Sequence, residues 1–218
     1  RLKPGNMPLD QFHMSSIPDD FHLSRTAIGV NKEYYITEFT ADGTVKAYIP
    51  PELSVILVNG EQITPVNNII SFNAKGNTSL VAFAPDIELK MGLINEMPWT
   101  IDGLRVHETN PYISPRGSGF FHHAGGRFHI IGKLPNGKLR LSGTLGMDAH
   151  AKNGMTGKIE INGNTVVTVD ATKYPWPVLP FDVDISAYAG KDVIIQISTD
   201  GTGGYNYGGW DTFKIEEK

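Results

Sequence analysis

Cysteine is absent from this chain of 218 residues. That absence excludes structural disulfides, thiol catalysis and thiolate metal sites. No apolar stretch approaches the roughly 20 residues that a membrane-spanning helix needs. The net charge is −4 without a basic block, so no nucleic-acid partner is indicated. Long windows with helical apolar periodicity are also missing, which leaves little support for α-helices.

What the sequence does contain is typical of a globular all-β protein. Hydrophobic residues make up 40% and charged residues 19%, a balance that supports a packed core. The 24 glycines and 14 prolines are spread between short apolar runs, as expected for many turns that join many strands. The length allows two small domains, each with its own core.

The first part of the chain predicts a lead-in followed by a small β domain. Residues 1–25 contain three prolines and little periodicity, so we expect an extended lead-in. Residues 26–95 are predicted to form an Ig-like β-sandwich. A hairpin is expected around Ala41-Asp42-Gly43 and a second one around Asn59-Gly60, because both glycines permit positive φ. Further strands are expected at Ile69 to Asn73 and Ser79 to Ala84.

The second domain is predicted to cover residues 96–218 and to contain wider-spaced strands. Turns are expected at Asn136-Gly137 and Asn162-Gly163, and one helical turn within Asp184 to Lys191. The predicted strands share short, apolar-rich runs and are Lys138 to Leu145, Gly157 to Ile161, Thr165 to Asp170, Phe181 to Ile185 and Val193 to Ser198.

An ordered series of short motifs in this half resembles a known family. The motifs are Gly103-Leu104-Arg105-Val106-His107, Leu141 to Asp148, Gly157 to Gly163, Phe181 to Lys191, and the closing residues Asp200-Gly201, Asn206-Tyr207 and Trp210-Asp211. Residues 99–216 are thereby similar to NPCBM-like carbohydrate-binding sandwiches, which have a galactose-binding-like jelly roll. The resemblance implies a glycan ligand, a neighbouring catalytic domain as a further partner, and one structural calcium ion. Asp148, Asp200 and Asp211 are the residues expected near that ion.

Two aromatic segments are candidates for stacking on a sugar. Sugars present apolar C–H faces and hydroxyls, so their sites combine exposed aromatic rings with planar polar groups. The first segment is Gly-rich, and its candidate residues are Tyr205, Asn206, Tyr207, Trp210 and Asp211. The second is Trp176, which proline on both sides is expected to hold in an exposed loop. The alternative for Trp210 is a buried position at the start of the last strand, and the alternative for Trp176 is a ring folded back over the end of the sandwich.

His122, His123 and Arg127 are candidates for hydrogen bonds to sugar hydroxyls. Strand alternation would send the two adjacent histidines to opposite faces. No His-x-x-x-His or His-Glu-x-x-His spacing occurs, so a histidine metal site is not favoured.

Three functions remain open at this point. The first is a non-catalytic carbohydrate-binding accessory protein or fragment, secreted, periplasmic or on the bacterial cell surface. The second is a glycoside-active enzyme, a hydrolase or lyase, with its site in a long loop over residues 110–129. The third is a structural module that packs against another domain through the same aromatic residues.

Overall fold

The computed structural model describes residues 11–28, 34–84, 87–101, 113–201 and 206–218. The chain divides into two compact units, Arg1–Pro85 and Asp86–Lys218. Both are built almost entirely from β-strands, as the composition predicts. Within the described ranges, no helix has the length and apolar character required to cross a membrane.

The first unit forms one six-stranded sheet. Its strands are β1 (His13–Ser16), β2 (His22–Ile28), β3 (Tyr34–Tyr48), β4 (Val55–Val58), β5 (Glu61–Gln62) and β6 (Ile69–Phe83). They lie in the order β1-β3-β6-β4-β5, and β2 also pairs with β3. The Ig-like arrangement, which has two separate sheets, is not confirmed.

The hairpin predicted at Ala41-Asp42-Gly43 is wrong, because β3 continues through it and pairs with β6 over 15 residues. Tertiary contacts hold this segment extended. Ala41 is fully buried, and the backbone N–H of Asp42 donates to the carboxylate of Asp20 at 3.0 Å. The Asp42 carboxylate accepts from the backbone N–H of Gly76 at 3.2 Å. Tertiary contacts thus override the local turn signal of Asp42-Gly43, and such dependence on context is usual for β structure.

The segment predicted as a lead-in contains β1 and the first residues of β2. Phe12 stacks on Tyr35 with ring centroids 5.1 Å apart, and Phe21 lies 4.8 Å from Phe39. Both phenylalanines pack against the core of the first unit. Apolar side chains therefore tie this segment down despite its prolines.

The second unit is a β-sandwich of two sheets. Its strands are β7 (Gly92–Leu93), β8 (Trp99–Ile101), β9 (Ile113–Arg116), β10 (Gly119–His123), β11 (Arg127–Lys133), β12 (Leu139–Met147), β13 (Met155–Ile161), β14 (Asn164–Ala171), β15 (Leu179–Asp184), β16 (Asp192–Asp200) and β17 (Tyr207–Glu217). One sheet has the order β15-β12-β17-β10-β9, with β7 paired to β17, and the other has the order β14-β13-β16-β11-β8. Alternate residues of both sheets fill the core between them.

Four connections cross from one sheet to the other at the same end of this sandwich. They join β10 to β11, β12 to β13, β14 to β15 and β16 to β17, and they cover residues 124–126, 148–154, 172–178 and 201–206. We call this end the crossover end. The other end holds the Asn162-Gly163 turn, confirmed with φ of 53° and 81°, and the predicted helical turn, a 3-10 turn at Ser186–Tyr188.

The long loop predicted over residues 110–129 is wrong for its described part, which begins at residue 113. These residues form β9, β10 and the start of β11. Gly117 has φ of 58° and makes the tight turn between β9 and β10. Pro115 is tolerated because β9 is an edge strand of its sheet, where a missing N–H need not break the ladder.

Candidate functional site

Hydrogen bonds join the loops of the crossover end. The backbone N–H of Ala124 donates to the carbonyl of Asn206 at 2.9 Å. The side-chain amide of Asn206 donates to the carbonyl of Gly154 at 3.0 Å. The backbone N–H of Asp148 donates to the carbonyl of Tyr207 at 3.0 Å. Loops from three different strand pairs are therefore fixed to one another and present one surface.

Among the described Phe, Tyr and Trp residues of this end, the most exposed lies in the fourth loop. Tyr174 is 79% exposed, and its ring meets that of Trp176 edge-on at 5.3 Å with an interplanar angle of 90°. The indole Nε1 of Trp176 donates to the carbonyl of Ala151 at 3.3 Å, which anchors the loop to residues 148–154. The two rings form a right-angled corner, which we call the aromatic corner. The sequence predicted the segment Tyr174-Pro175-Trp176-Pro177 as a platform, with Trp176 as its candidate ring and no separate role for Tyr174.

Tyr207 borders the same surface from β17. Its hydroxyl donates to the carbonyl of His150 at 2.8 Å, and its ring lies 5.7 Å from that of His123. Because Ala151 directly follows His150, the Trp176 and Tyr207 anchors attach to consecutive residues of one loop. The predicted residues Trp176, Tyr207 and His123 are thus brought to one end of the sandwich.

Trp210 and His122 need correction as ligand-binding residues. Trp210 is 1% exposed and His122 is fully buried, so neither offers a face to a sugar. The indole Nε1 of Trp210 donates to Nδ1 of His122 at 3.0 Å. Burial lowers the pKa of His122 to about 4, which keeps the ring neutral and able to accept this bond. The two adjacent histidines do point to opposite faces, as predicted.

Asn206 also needs correction, because its side chain is fully buried and ties two loops together. Arg127 is half-buried at the start of β11, opposite Ser198. Tyr205 lies outside the described residues. The glycines near Asn206 therefore did not determine its exposure, because a residue beside a glycine run can be buried in the sandwich or exposed on its surface.

Two of the three carboxylates proposed for calcium, Asp148 and Asp211, take part in separate hydrogen-bond sets. Asp211 accepts from the Ser118 hydroxyl and from the backbone N–H of Thr212, and these contacts lower its pKa. Asp200 is exposed at the end of β16. In the parts of the chain that the structure describes, no group of three or more histidine or acidic residues could hold a metal ion.

Asp148 is the most connected carboxylate of the crossover end. It accepts from the backbone N–H of His150 at 3.0 Å, from the His150 ring at 3.2 Å and from Arg116 at 3.2 Å. These contacts, led by the backbone bond, hold its pKa below the usual range, so it stays ionised and suits accepting bonds from hydroxyls. Sequence reasoning missed Arg116 and His150, since neither lies in a recognisable motif.

No protein-family model and no curated protein matches the chain. Among solved structures, the CBM51-2 and INT domains of ZmpB from Clostridium perfringens match with 10% identity and a TM-score of 0.44, over 90% of this chain and 40% of that chain. The chain thus spans less than half of that structure's length.

Two further solved structures are similar to this chain. Tandem CBM51 modules of a family 98 glycoside hydrolase from Streptococcus pneumoniae match with 11% identity and a TM-score of 0.38, over 94% of this chain and 97% of that chain. TmCBM61 in complex with β-1,4-galactotriose matches with 16% identity and a TM-score of 0.38, over 56% and 89%. Carbohydrate-binding modules are therefore among the structural neighbours of this chain.

Proposed function

We propose that the second unit is a non-catalytic carbohydrate-binding module and that its crossover end is the binding site. The observation that carries this proposal is the aromatic corner, in which the 79% exposed Tyr174 stands edge-on to Trp176. We further propose that the sandwich is a jelly roll of the galactose-binding-like kind. Its place would be outside the bacterial cell, next to a catalytic domain that acts on the same glycan.

The corner suits a pyranose ring because of its shape and chemistry. An aromatic face covers the apolar C–H face of a sugar, and a second ring at a right angle contacts the edge of that sugar. The corner is also preorganised, because the bond from Trp176 to Ala151 limits the motion of the indole. A ligand then meets a ring whose rotamer entropy has already been lost on folding.

Polar groups beside the corner supply hydrogen bonds to hydroxyls. The His150 side chain is 87% exposed, and Asp148 and Arg116 form an ion pair on the same surface. Carboxylate and guanidinium groups are planar and can engage adjacent hydroxyls of a sugar in pairs. Affinity for one sugar unit is expected to be weak, so attachment to a neighbouring enzyme domain would raise the effective affinity.

The proposal is tested by a glycan array followed by titration calorimetry. N-acetylglucosamine and β-1,4-galactotriose are among the first probes, because two of the structural neighbours are complexes with these sugars. Trp176→Ala and Tyr174→Ala are each expected to weaken binding about tenfold or more, the usual range for a stacking residue. Met91→Ala is the matched control, since Met91 is 49% exposed but precedes β7, away from the crossover end.

Release of reducing ends from the bound glycans is measured in parallel. Binding without release supports a non-catalytic module. Release of reducing ends would instead support a glycoside-active enzyme. Absence of binding to every glycan, or equal binding by the parent and both corner variants, would overturn the proposal.

A further inference from the structure

In the second unit, the outer face of the sheet β15-β12-β17-β10-β9 carries, near the crossover end, rings that the core does not use. Along β10, Phe120 and His122 are fully buried in the sandwich, so Phe121 and His123 project from the opposite face. Tyr207 lies opposite His123 in the register of β17. The Tyr207 ring is 6.1 Å from Phe121 and 5.7 Å from His123. Three rings therefore form a half-buried group on the outer surface.

Beside these rings, two neighbouring strands carry glycine on the outer face. Gly209 of β17 lies directly between Phe121 of β10 and Gly146 of β12 in the register. A Cβ atom added to Gly209 would meet only the carbonyl oxygen of Phe120, at 3.3 Å, so no side chain lies within 4 Å of this position. On the far side, a Cβ on Gly146 would lie 3.3 Å from the side chain of Val178, which is 67% exposed. The result is a shallow trough with a glycine floor and apolar walls.

An ion pair crosses this trough. Arg116 belongs to β9 at one edge of the sheet, and Asp148 follows β12, while β17 and β10 lie between those two strands. The guanidinium of Arg116 nevertheless donates to the Asp148 carboxylate at 3.2 Å. The arginine side chain must therefore run over the outer face of the two intervening strands. Its side chain is 64% exposed, so it remains accessible to a ligand in the trough.

We propose that this trough is a second sugar subsite, and that the ligand is an oligosaccharide chain that runs from the aromatic corner past Tyr207 into the trough. The inference rests on the proposed carbohydrate-binding function and adds the substrate class: an oligosaccharide of two or more units that reaches both subsites, not a single sugar. Tyr207 and Trp176 connect the two subsites, because they anchor to the consecutive residues His150 and Ala151. Consecutive Cα atoms are about 3.8 Å apart, so the two anchoring residues lie side by side on one loop.

A sugar chain fits this surface better than a peptide strand does. Along the trough, β17 is paired with β12 and β10, and β10 is paired with β17 and β9. Neither strand therefore has an unpaired edge to which a peptide strand could be added. What the trough does offer is a ring face, a flat floor and an ion pair. These are the groups that contact sugar C–H faces and hydroxyls.

The test compares monosaccharides with matching trisaccharides by titration calorimetry. The probes are glucose with cellotriose, N-acetylglucosamine with chitotriose, galactose with β-1,4-galactotriose, and the corresponding pair for the best glycan on the array. The parent is expected to bind one trisaccharide about tenfold or more tighter than its monosaccharide, as one added stacking contact would give. Gly209→Val, which fills the trough floor, and Phe121→Ala, which removes its wall, are expected to reduce that ratio to about two.

Trp176→Ala is expected to weaken both the monosaccharide and the trisaccharide, because the corner serves both. Thr168→Val on β14 is the matched control, since Thr168 is an exposed strand residue of the other sheet. Gly209→Ala is measured beside Gly209→Val, and circular dichroism confirms that each variant is folded.

The outcomes separate the two proposals. Unchanged trisaccharide affinity in folded Gly209→Val and Phe121→Ala, with loss of binding in Trp176→Ala, overturns the second subsite and leaves the carbohydrate-binding function standing. A parent chain that binds no glycan overturns both.

Discussion

The indole N–H of Trp210 donates to Nδ1 of His122 across two paired strands, at 3.0 Å, and both side chains are buried. The bond assigns the proton of the imidazole to Nε2, because Nδ1 acts as the acceptor. It also explains why this histidine stays neutral: a proton on Nδ1 would break the bond and place a charge in the core. The two residues act as one buried polar unit inside an otherwise apolar sandwich.

We predict that acidification below neutral pH destabilises the second unit through His122. Burial, reinforced by the charge of His123 and opposed by the Gly126 backbone, lowers the pKa of His122 from 6.5 to about 4. Because the folded pKa lies below the unfolded one, the unfolded chain binds the proton first. Stability is therefore full above pH 6.5 and is lost as the pH falls towards 4. This difference in pKa between the unfolded and the folded state corresponds to a loss on the order of 3 kcal/mol in the free energy of unfolding.

Urea unfolding followed by tryptophan fluorescence at pH 7, 5.5 and 4.5 measures this effect. His122→Gln, which keeps an acceptor but does not titrate, is expected to flatten the dependence over this window. His150→Gln is the control, because the His150 side chain is 87% exposed and lies outside the core. A slope that persists in His122→Gln and disappears in His150→Gln would contradict the assignment.

We predict that Gly157→Ala destabilises the sandwich by about 1–3 kcal/mol through overpacking. A Cβ on Gly157 would lie 2.6 Å from both the Trp210 ring and Leu145 Cδ2, and the glycine leaves room for the indole against the facing sheet. Thermal unfolding measures the loss. Thr156→Ala, on the same strand as Gly157, serves as control. Gly76→Ala would not, because Gly76 has a φ of 67°, which strains alanine for a reason unrelated to packing. Equal melting temperatures for Gly157→Ala and the parent would contradict the packing argument.

We predict that Asn162→Ala costs about 2–3 kcal/mol, far more than a surface turn residue normally does. The side-chain carbonyl of Asn162 accepts from the backbone N–H of Ile194 at 2.9 Å, and Asn162 is only 7% exposed. Removing it leaves a buried N–H without its acceptor. Its φ of 53° adds to the cost for alanine.

Asn162→Gly separates the two contributions, because glycine accepts positive φ but cannot replace the hydrogen bond. We expect Asn162→Gly to be intermediate between the parent and Asn162→Ala in urea unfolding. If the glycine variant is as stable as the parent, the bond to Ile194 contributes nothing and the prediction fails.

We predict that Tyr207→Phe weakens glycan binding several-fold and lowers the melting temperature by no more than a few degrees. The phenol–carbonyl bond to His150 holds the 148–154 loop, and its loss costs about 0.5–1.5 kcal/mol. The ring remains, so stacking is preserved. Tyr188→Phe, at the other end of the sandwich, is the matched control. Unchanged affinity in Tyr207→Phe would show that the loop is held by its remaining contacts.

The sequence predicts this fold best where a short-range rule decides the outcome. Asn59-Gly60 and Asn162-Gly163 form hairpin turns as expected, because both residues of each pair adopt positive φ. Ala41-Asp42-Gly43 carries a similar signal but stays extended, since Asp20 and Gly76 hold it from distant parts of the chain. Such contacts cannot be read from local sequence.

The same distinction applies to the candidate site. Trp176 was predicted from its two flanking prolines, which is a local argument, whereas its half-burial and its bond to Ala151 come from tertiary contacts. Trp210, in contrast, is buried because it faces Gly157 across the sandwich, a relationship between residues 53 positions apart. Arg116 and Asp148 are 32 positions apart in the sequence and lie on opposite sides of two strands. Only the folded sheet brings their side chains together. The trough of Gly209 and Gly146 likewise depends on register, which the sequence does not state.

If the proposed function holds, the crossover end also determines how the sugar preference of this protein could be altered. The 172–178 loop, which carries the aromatic corner, joins β14 to β15, and each of these is the edge strand of its sheet. The loop can therefore be lengthened, shortened or exchanged while the central strands and their register stay intact. A library of sequences grafted between Ala171 and Leu179 should yield folded proteins with new sugar preferences, because the part that selects the ligand is mechanically separate from the part that keeps the fold.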